Sequence, residues 1–284
     1  MAAGVELANF GGRAQLVRAE RTIDVAARSQ GRFGPDPMQV LHAWDAFCEW
    51  AQDIEPREDD PALVADELGP PVPAPSQLFA IGLNYKDHAL EASLPIPAEP
   101  VVFTKFQSAL AGPCADIRLT SLRVDWEVEL VIVMGRTARD IPAEHALDHV
   151  AGFTVGQDVS DRRRQFQDSP PQFSLGKSAR GYAPIGPAVV ALSGLANPND
   201  LALRCSINGE RMQDGRTGDM IFAVPEIIRY LSTWCELRPG DLIFTGTPAG
   251  VGSVRTPRRY LAPGDVIESE IEGVGQLRNR CRAP

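Results

Sequence analysis

The chain has 284 residues, 44% of them hydrophobic and 23% charged, with a formal net charge of −9 and a pI of about 5.0. That length can bury a sizeable core in one large domain or two unequal ones. The acidic balance makes nucleic acid a poor partner, and no apolar run approaches the roughly 20 residues of a membrane span. The five cysteines (Cys48, Cys114, Cys205, Cys235, Cys281) form no C-x-x-C pair. A disulfide framework or zinc ribbon is therefore not expected, and a reducing, cytoplasmic setting is.

The opening segment MAAGVELANFGGRAQ has no long apolar stretch before a cleavage site, so no secretory leader is expected. Residues 5–27 read as a hairpin, with a turn at Asn9–Gly12 and AQLVRAERTIDVA as one second strand. MQVLHAWDAFCEWAQDI, 38–54, has apolar residues at helical spacing and is predicted to be a single amphipathic helix, with His42 on its surface. GPPVPAPSQ, 69–77, is a stiff proline-rich linker. It sets the predicted domain boundary: a small N-terminal α/β cap over 1–70 and a catalytic domain over 71–284.

The larger part alternates short apolar runs with Gly/Pro turns. Strands are predicted at 100–106, 128–135, 152–160, 183–192, 201–209, 241–247 and 265–275, with helices at 142–150 and 224–235. This grammar predicts a β-rich α+β fold and not a doubly wound sheet. The turn P-G-D launches a strand twice, at 239–241 and 263–265. Two copies do not make a solenoid.

Several motifs fail. SLGKS, 174–178, ends like a phosphate loop, but Pro171 stands where the first glycine belongs. His145 and His149 are spaced i, i+4 without the glutamate of H-E-x-x-H, so they read as polar residues flanking a buried stripe. The runs Arg162–Arg164 and Arg258–Arg259 read as solvated or ion-paired faces.

Other stretches carry chemistry. In VDWEVELVIVMG, 124–135, the period of two places Glu127 and Glu129 on one face beside a buried run. A divalent cation would offset that cost; a solvated strand start explains the pair equally well. Asp158, after the apolar strand GFTVGQ, adds a third carboxylate at a strand end. Such an oxygen-rich set favours Mg²⁺ or Mn²⁺ over zinc. In GLNYKDHALE, His88 and Glu91 are spaced i, i+3, so a helix there puts them on one face and lets the carboxylate orient the imidazole as a general base; taken alone, the pair is more often a solvated one on a helix surface. Lys177 could neutralise an anion near the metal or be solvated, and the loop Gly246–Gly250 with Thr247 could let the backbone approach a ligand or be a simple turn.

Six pieces in order, GLNYKDHALE, W-E-V-E-L-V-I-V-M-G, GFTVGQDVSDR, GKS with P-I-G-P, INGERMQDGRTGDMIF and PGDLIFTGTPAGVG, resemble the fumarylacetoacetate hydrolase family from about residue 78 onward. The resemblance implies a rolled mixed β-sandwich, usually a homodimer. It also implies a Mg²⁺ or Mn²⁺ site on Glu127, Glu129 and Asp158, and a catalytic set of His88, Glu91 and Lys177. Tyr85, Arg162, Gln165 and Thr247 fall on substrate-binding positions. The implied reaction is hydrolysis of a C–C bond in a β-diketo acid such as an acylpyruvate or fumarylpyruvate, through an enolate held on the metal. Oxaloacetate decarboxylation and 2-keto acid hydration or isomerisation share that platform; a non-catalytic metal-binding relative is the reading from another class. Asp161 stands where many relatives have alanine, which predicts either altered substrate charge preference or a solvent-facing acid.

Overall fold

The computed structural model describes residues 4–284; the first three residues of the opening segment and of the expected cap lie outside them. Two sheets organise the chain. The larger, eleven-stranded sheet runs in the order Arg21–Asp24, Arg13–Arg18, Glu6–Phe10, Ala183–Ala191, Val150–Gln157, Val128–Met134, Leu242–Phe244, Leu78–Gly82, Val101–Thr104. Two-residue strands at Leu68–Gly69 and Leu110–Ala111 pair off this path. The smaller sheet has the order Glu210–Arg216, Ala202–Ile207, Val266–Ile271, Gly275–Arg282, Ile117–Arg118. Most pairings are antiparallel, but Leu242–Phe244 runs parallel to Leu78–Gly82. The architecture is β-rich α+β, and neither sheet closes into a barrel.

The central strand Val128–Met134 is buried along its whole length. Its Leu130, Ile132 and Met134 pack in a core with Leu203, Ile207, Ile267 and Leu277 of the smaller sheet, giving the sandwich. Its Val131 and Val133 face the other way, into a core with Val40, Leu41, Trp44 and Phe47 from the N-terminal helices. Burial on both faces explains the unbroken apolar run V-E-L-V-I-V-M.

Beside it, Gly152 leaves no room for a side chain. A Cβ there would sit 2.1 Å from the Val190 carbonyl oxygen of the paired strand. Backbone cannot yield as a side-chain tip can. Gly152→Ala should therefore destabilise the fold by the upper end of about 1–3 kcal/mol. The check is a lowered urea midpoint at unchanged slope.

Three local expectations are corrected. The segment after the first turn is two strands, Arg13–Arg18 and Arg21–Asp24, because Ala19 and Glu20 adopt positive φ and reverse the chain. The expected helix over 38–54 is two, Pro37–His42 and Trp44–Gln52. Ala43 departs from helical angles between them (φ −115°, ψ 32°), and its N–H reaches back only to Val40. The segment 142–150 forms a 3₁₀ helix, Ala143–His149, and not an α-helix. The helix expected at 224–235 spans Val224–Trp234 and buries Val224, Ile227, Ile228 and Leu231.

The twofold P-G-D echo has a shared cause. Gly240 and Gly264 both take positive φ, and Asp241 and Asp265 each accept from the backbone N–H three residues earlier, at 2.8 Å. Each turn then releases a strand. Among the described residues, no helix is long and apolar enough to cross a membrane.

Candidate active site

The register of two central strands builds the site. Val128 pairs with Gln157, so Glu127 and Asp158 stand opposite each other just beyond the paired ends. The Asp158 N–H donates to the Glu127 carbonyl at 2.8 Å. Glu129 lies one pleat further, on the same face as Glu127. One oxygen from each of Glu127, Glu129 and Asp158 lies within 4.8 Å of the others, and all three residues are buried.

Three buried cations meet these acids. Lys177, just after the short helix Phe173–Gly176, donates from Nζ to Glu127 Oε2 at 2.5 Å and Asp158 Oδ2 at 2.6 Å. Arg162 donates to Glu127 Oε1 at 2.5 Å, to Asp125 Oδ2 at 2.9 Å and to Gln165 Oε1 at 2.9 Å. Lys105 donates to Asp158 Oδ1 at 2.5 Å and to the Lys177 carbonyl.

Burial works against charge on every member, and the neighbours decide each outcome. Burial would raise Glu127, but Lys177 and Arg162 outweigh it and hold the carboxyl well below its usual range. Burial raises Glu129 strongly, and Asp158 and Glu127 push it further. Burial would depress Lys177, yet Asp158 and Glu127 hold it above the ordinary lysine value. Lys105 is depressed, because burial and Lys177 outweigh its single carboxylate partner.

The charge count tests the expected metal. Four buried carboxylates (Asp125, Glu127, Glu129, Asp158) face three buried cations (Lys105, Arg162, Lys177), an excess of one negative charge. Glu129 carries that excess as a tendency to hold a proton. A divalent ion in the proton's place fits the all-oxygen donor set and leaves one positive charge for an anionic ligand. The residues present fit Mg²⁺ or Mn²⁺.

The segment carrying His88 lies near this cluster, with Tyr85 within electrostatic reach of Glu129 and His88 of Glu127. Asn84, fully buried, anchors it: its amide donates to the Thr245 and Phe222 carbonyls at 2.8 and 3.0 Å, and its oxygen accepts from the Phe222 N–H. The helix Lys86–Glu91 follows. His88 Nδ1 lies 3.5 Å from Glu91 Oε2, too far for a hydrogen bond.

Glu91 is fixed in turn by the Gly250 N–H at 3.0 Å. Gly250 has φ +107°, and a Cβ there would meet the Met212 carbonyl at 2.0 Å, so only glycine presents that N–H. Gly246 makes a similar close approach: its N–H donates to Glu129 Oε2 at 2.7 Å, and its φ is +95°. Tyr85 has no exposed surface, its hydroxyl has no hydrogen-bond partner, and burial followed by the Glu129 charge raises it far above the usual phenol range.

The structure therefore brings together Glu127, Glu129, Asp158, Lys177, Arg162 and Gln165, with the His88–Glu91 pair beside them. Thr247 is spent within the protein: its hydroxyl donates to the Val128 carbonyl and accepts from Gln213. Asp161 is not the solvent-facing acid that is one of the two expectations for it. It is buried, accepts from Thr120 and Ser121 hydroxyls at 2.7 and 2.8 Å, and caps the short helix Arg162–Gln165. His145 pairs loosely with Asp148 on the surface and belongs to no metal cluster among the described residues.

Sequence reasoning missed Lys105 and Asp125. Lys105 had a signal: in PVVFTKF it shares the pleat parity of Val101 and Phe103, and a lysine in phase with an apolar face needs a buried partner. Asp125 had none. Its role, bonding Arg162 and the Gly252 and Ser253 N–H groups, depends on a loop 127 residues away.

A family model described as fumarylacetoacetate (FAA) hydrolase C-terminal matches residues 77–282. The chain is 44% identical over 212 residues to the mitochondrial oxaloacetate tautomerase FAHD2B of Bos taurus, covering 74% of this chain and 68% of that protein. A Mycobacterium smegmatis crystal structure provisionally named HpcE superimposes with a TM-score of 0.93 at 49% identity, over 98% of this chain and 99% of that one. Maleylpyruvate hydrolase from Sphingobium sp. SYK-6, solved with manganese(II) and pyruvate, gives a TM-score of 0.82 at 26% identity, over 98% and 99% of the two chains.

Proposed function

We propose, since this chain belongs to the fumarylacetoacetate hydrolase family, that it is a Mg²⁺- or Mn²⁺-dependent enzyme that hydrolyses a C–C bond in a β-diketo acid. The observation that carries the reading is the buried triad Glu127, Glu129 and Asp158, which together with Asp125 outnumbers its three buried cations by one charge, with the His88–Glu91 pair near it. The manganese and pyruvate in the maleylpyruvate hydrolase structure support both the ion and a 2-oxo acid ligand.

The three carboxylates would hold the ion, which when bound supplies a Lewis acid for the oxygens of a 2-oxo carboxylate. Glu91, 3.5 Å from Nδ1, would steady the His88 imidazolium that forms as Nε2 takes a proton from water. The resulting hydroxide adds to the distal carbonyl. As the C–C bond breaks, its electron pair moves into the departing 2-oxo acid as an enolate, and the Lys177 ammonium stabilises the oxygen where that charge develops. Arg162 and Gln165 position the substrate, and Tyr85 offers a buried hydroxyl free to donate to it.

A second reading has its own observation. The 44%-identical relative is named an oxaloacetate tautomerase, and tautomerisation or decarboxylation of oxaloacetate needs the same platform without attacking water. A panel of acetylpyruvate, longer acylpyruvates and oxaloacetate, assayed with Mg²⁺ and Mn²⁺, separates the two. Release of pyruvate and a carboxylic acid supports hydrolysis; turnover of oxaloacetate alone overturns it. Exhaustive chelation should abolish turnover, and adding back either ion should restore it. Activity that survives chelation sinks the metal assignment.

A further inference from the structure

The chemistry above uses two of the three buried cations. Lys105 remains. It follows the strand Val101–Thr104, and its N–H donates to the Leu78 carbonyl at 3.0 Å, so the extended pairing continues through it. It therefore shares a face with Phe103. The Phe103 ring centroid lies 5.3 Å from Lys177 Nζ, and Lys105 Nζ itself lies 5.9 Å from the Phe244 ring centroid. The Lys105 side chain is fully enclosed. Hiding an ammonium at this depth costs several kcal/mol unless its hydrogen bonds are made. Here they go to two places: Asp158 Oδ1 and the Lys177 backbone carbonyl.

We infer that Lys105 is a positioning residue for the metal centre, acting through Asp158. By holding Oδ1 it fixes the plane of the carboxylate and leaves Oδ2 to Lys177. By holding the Lys177 carbonyl it sets the catalytic lysine's backbone against the same carboxylate. Lys105 thus ties two site elements 19 residues apart, Asp158 and Lys177, into one unit. Asp158 and the Lys177 carbonyl are its two hydrogen-bond partners. Partners that orient a metal ligand in this way typically govern metal affinity as strongly as they govern activity.

Charge and orientation predict opposite signs. If Lys105 contributed only its positive charge, deleting it would tighten binding of a divalent cation. If it orients Asp158, deletion weakens binding. The inference rests on the reading of Asp158 as a metal ligand, and the experiment keeps the two apart. Mn²⁺ affinity is measured by electron paramagnetic resonance on wild type, Lys105→Met and Lys105→Gln, with no substrate present.

Wild-type protein that binds no Mn²⁺ refutes the metal site itself. With wild-type binding established, Lys105→Met should bind roughly 10–100-fold more weakly. Lys105→Gln, which keeps one donor of similar reach, should fall between. It also carries the test if the methionine variant does not fold. Affinity equal to or tighter than wild type in a folded variant overturns the positioning role and leaves Lys105 a charge-balancing group.

Discussion

Glu127→Ala should abolish measurable Mn²⁺ binding and, with it, turnover. Glu127 bridges two buried cations, bonding Arg162 through one oxygen and Lys177 through the other. Its loss should exceed the roughly 10–100-fold effect of losing an outer-shell partner. The fold should survive, because Lys177 keeps Asp158 and Arg162 keeps Asp125. Titration calorimetry with Mn²⁺ beside a thermal melt reads both effects. Glu129→Gln is the companion variant: an amide oxygen can still accept the Gly246 N–H, so metal loss without structural loss is expected. A normal metal affinity in Glu127→Ala refutes the ligand assignment.

His88→Ala should lower hydrolysis by about 100- to 10,000-fold, the range typical of a positioned acid–base group, while Mn²⁺ affinity stays within a factor of a few of wild type. Oxaloacetate decarboxylation, which needs no attacking water, should be spared. The contrast matters more than either rate. Loss of hydrolysis alone assigns His88 to water activation. Equal loss of both reactions makes it a general substrate contact. Unchanged turnover of a β-diketo acid returns it to a surface histidine.

Much of the site was legible because strand periodicity is a local property. Glu127 and Glu129 had to share a face once V-E-L-V-I-V-M formed a strand, and the structure puts both in the cluster with Asp158. The i, i+3 spacing of His88 and Glu91 likewise needed only one short helix. Where expectation failed, a single residue's angles or a distant partner was responsible. Positive φ at Ala19 and Glu20 split one expected strand, and the angles of Ala43 split one expected helix. Asp161 looked like an anomaly of charge until Thr120 and Ser121, some 40 residues earlier, were found to take both its oxygens.

By itself the sequence determined the strand grammar, the order of the motifs and therefore the family, because alternation, turn residues and short spacings are fixed along the chain. Only the tertiary structure decided which charges meet. Lys105, Asp125 and the Gly250 N–H come from segments tens to more than a hundred residues from Asp158, Arg162 and Glu91. The energy of a buried charge depends on the partners that surround it in space, and no local spacing encodes them.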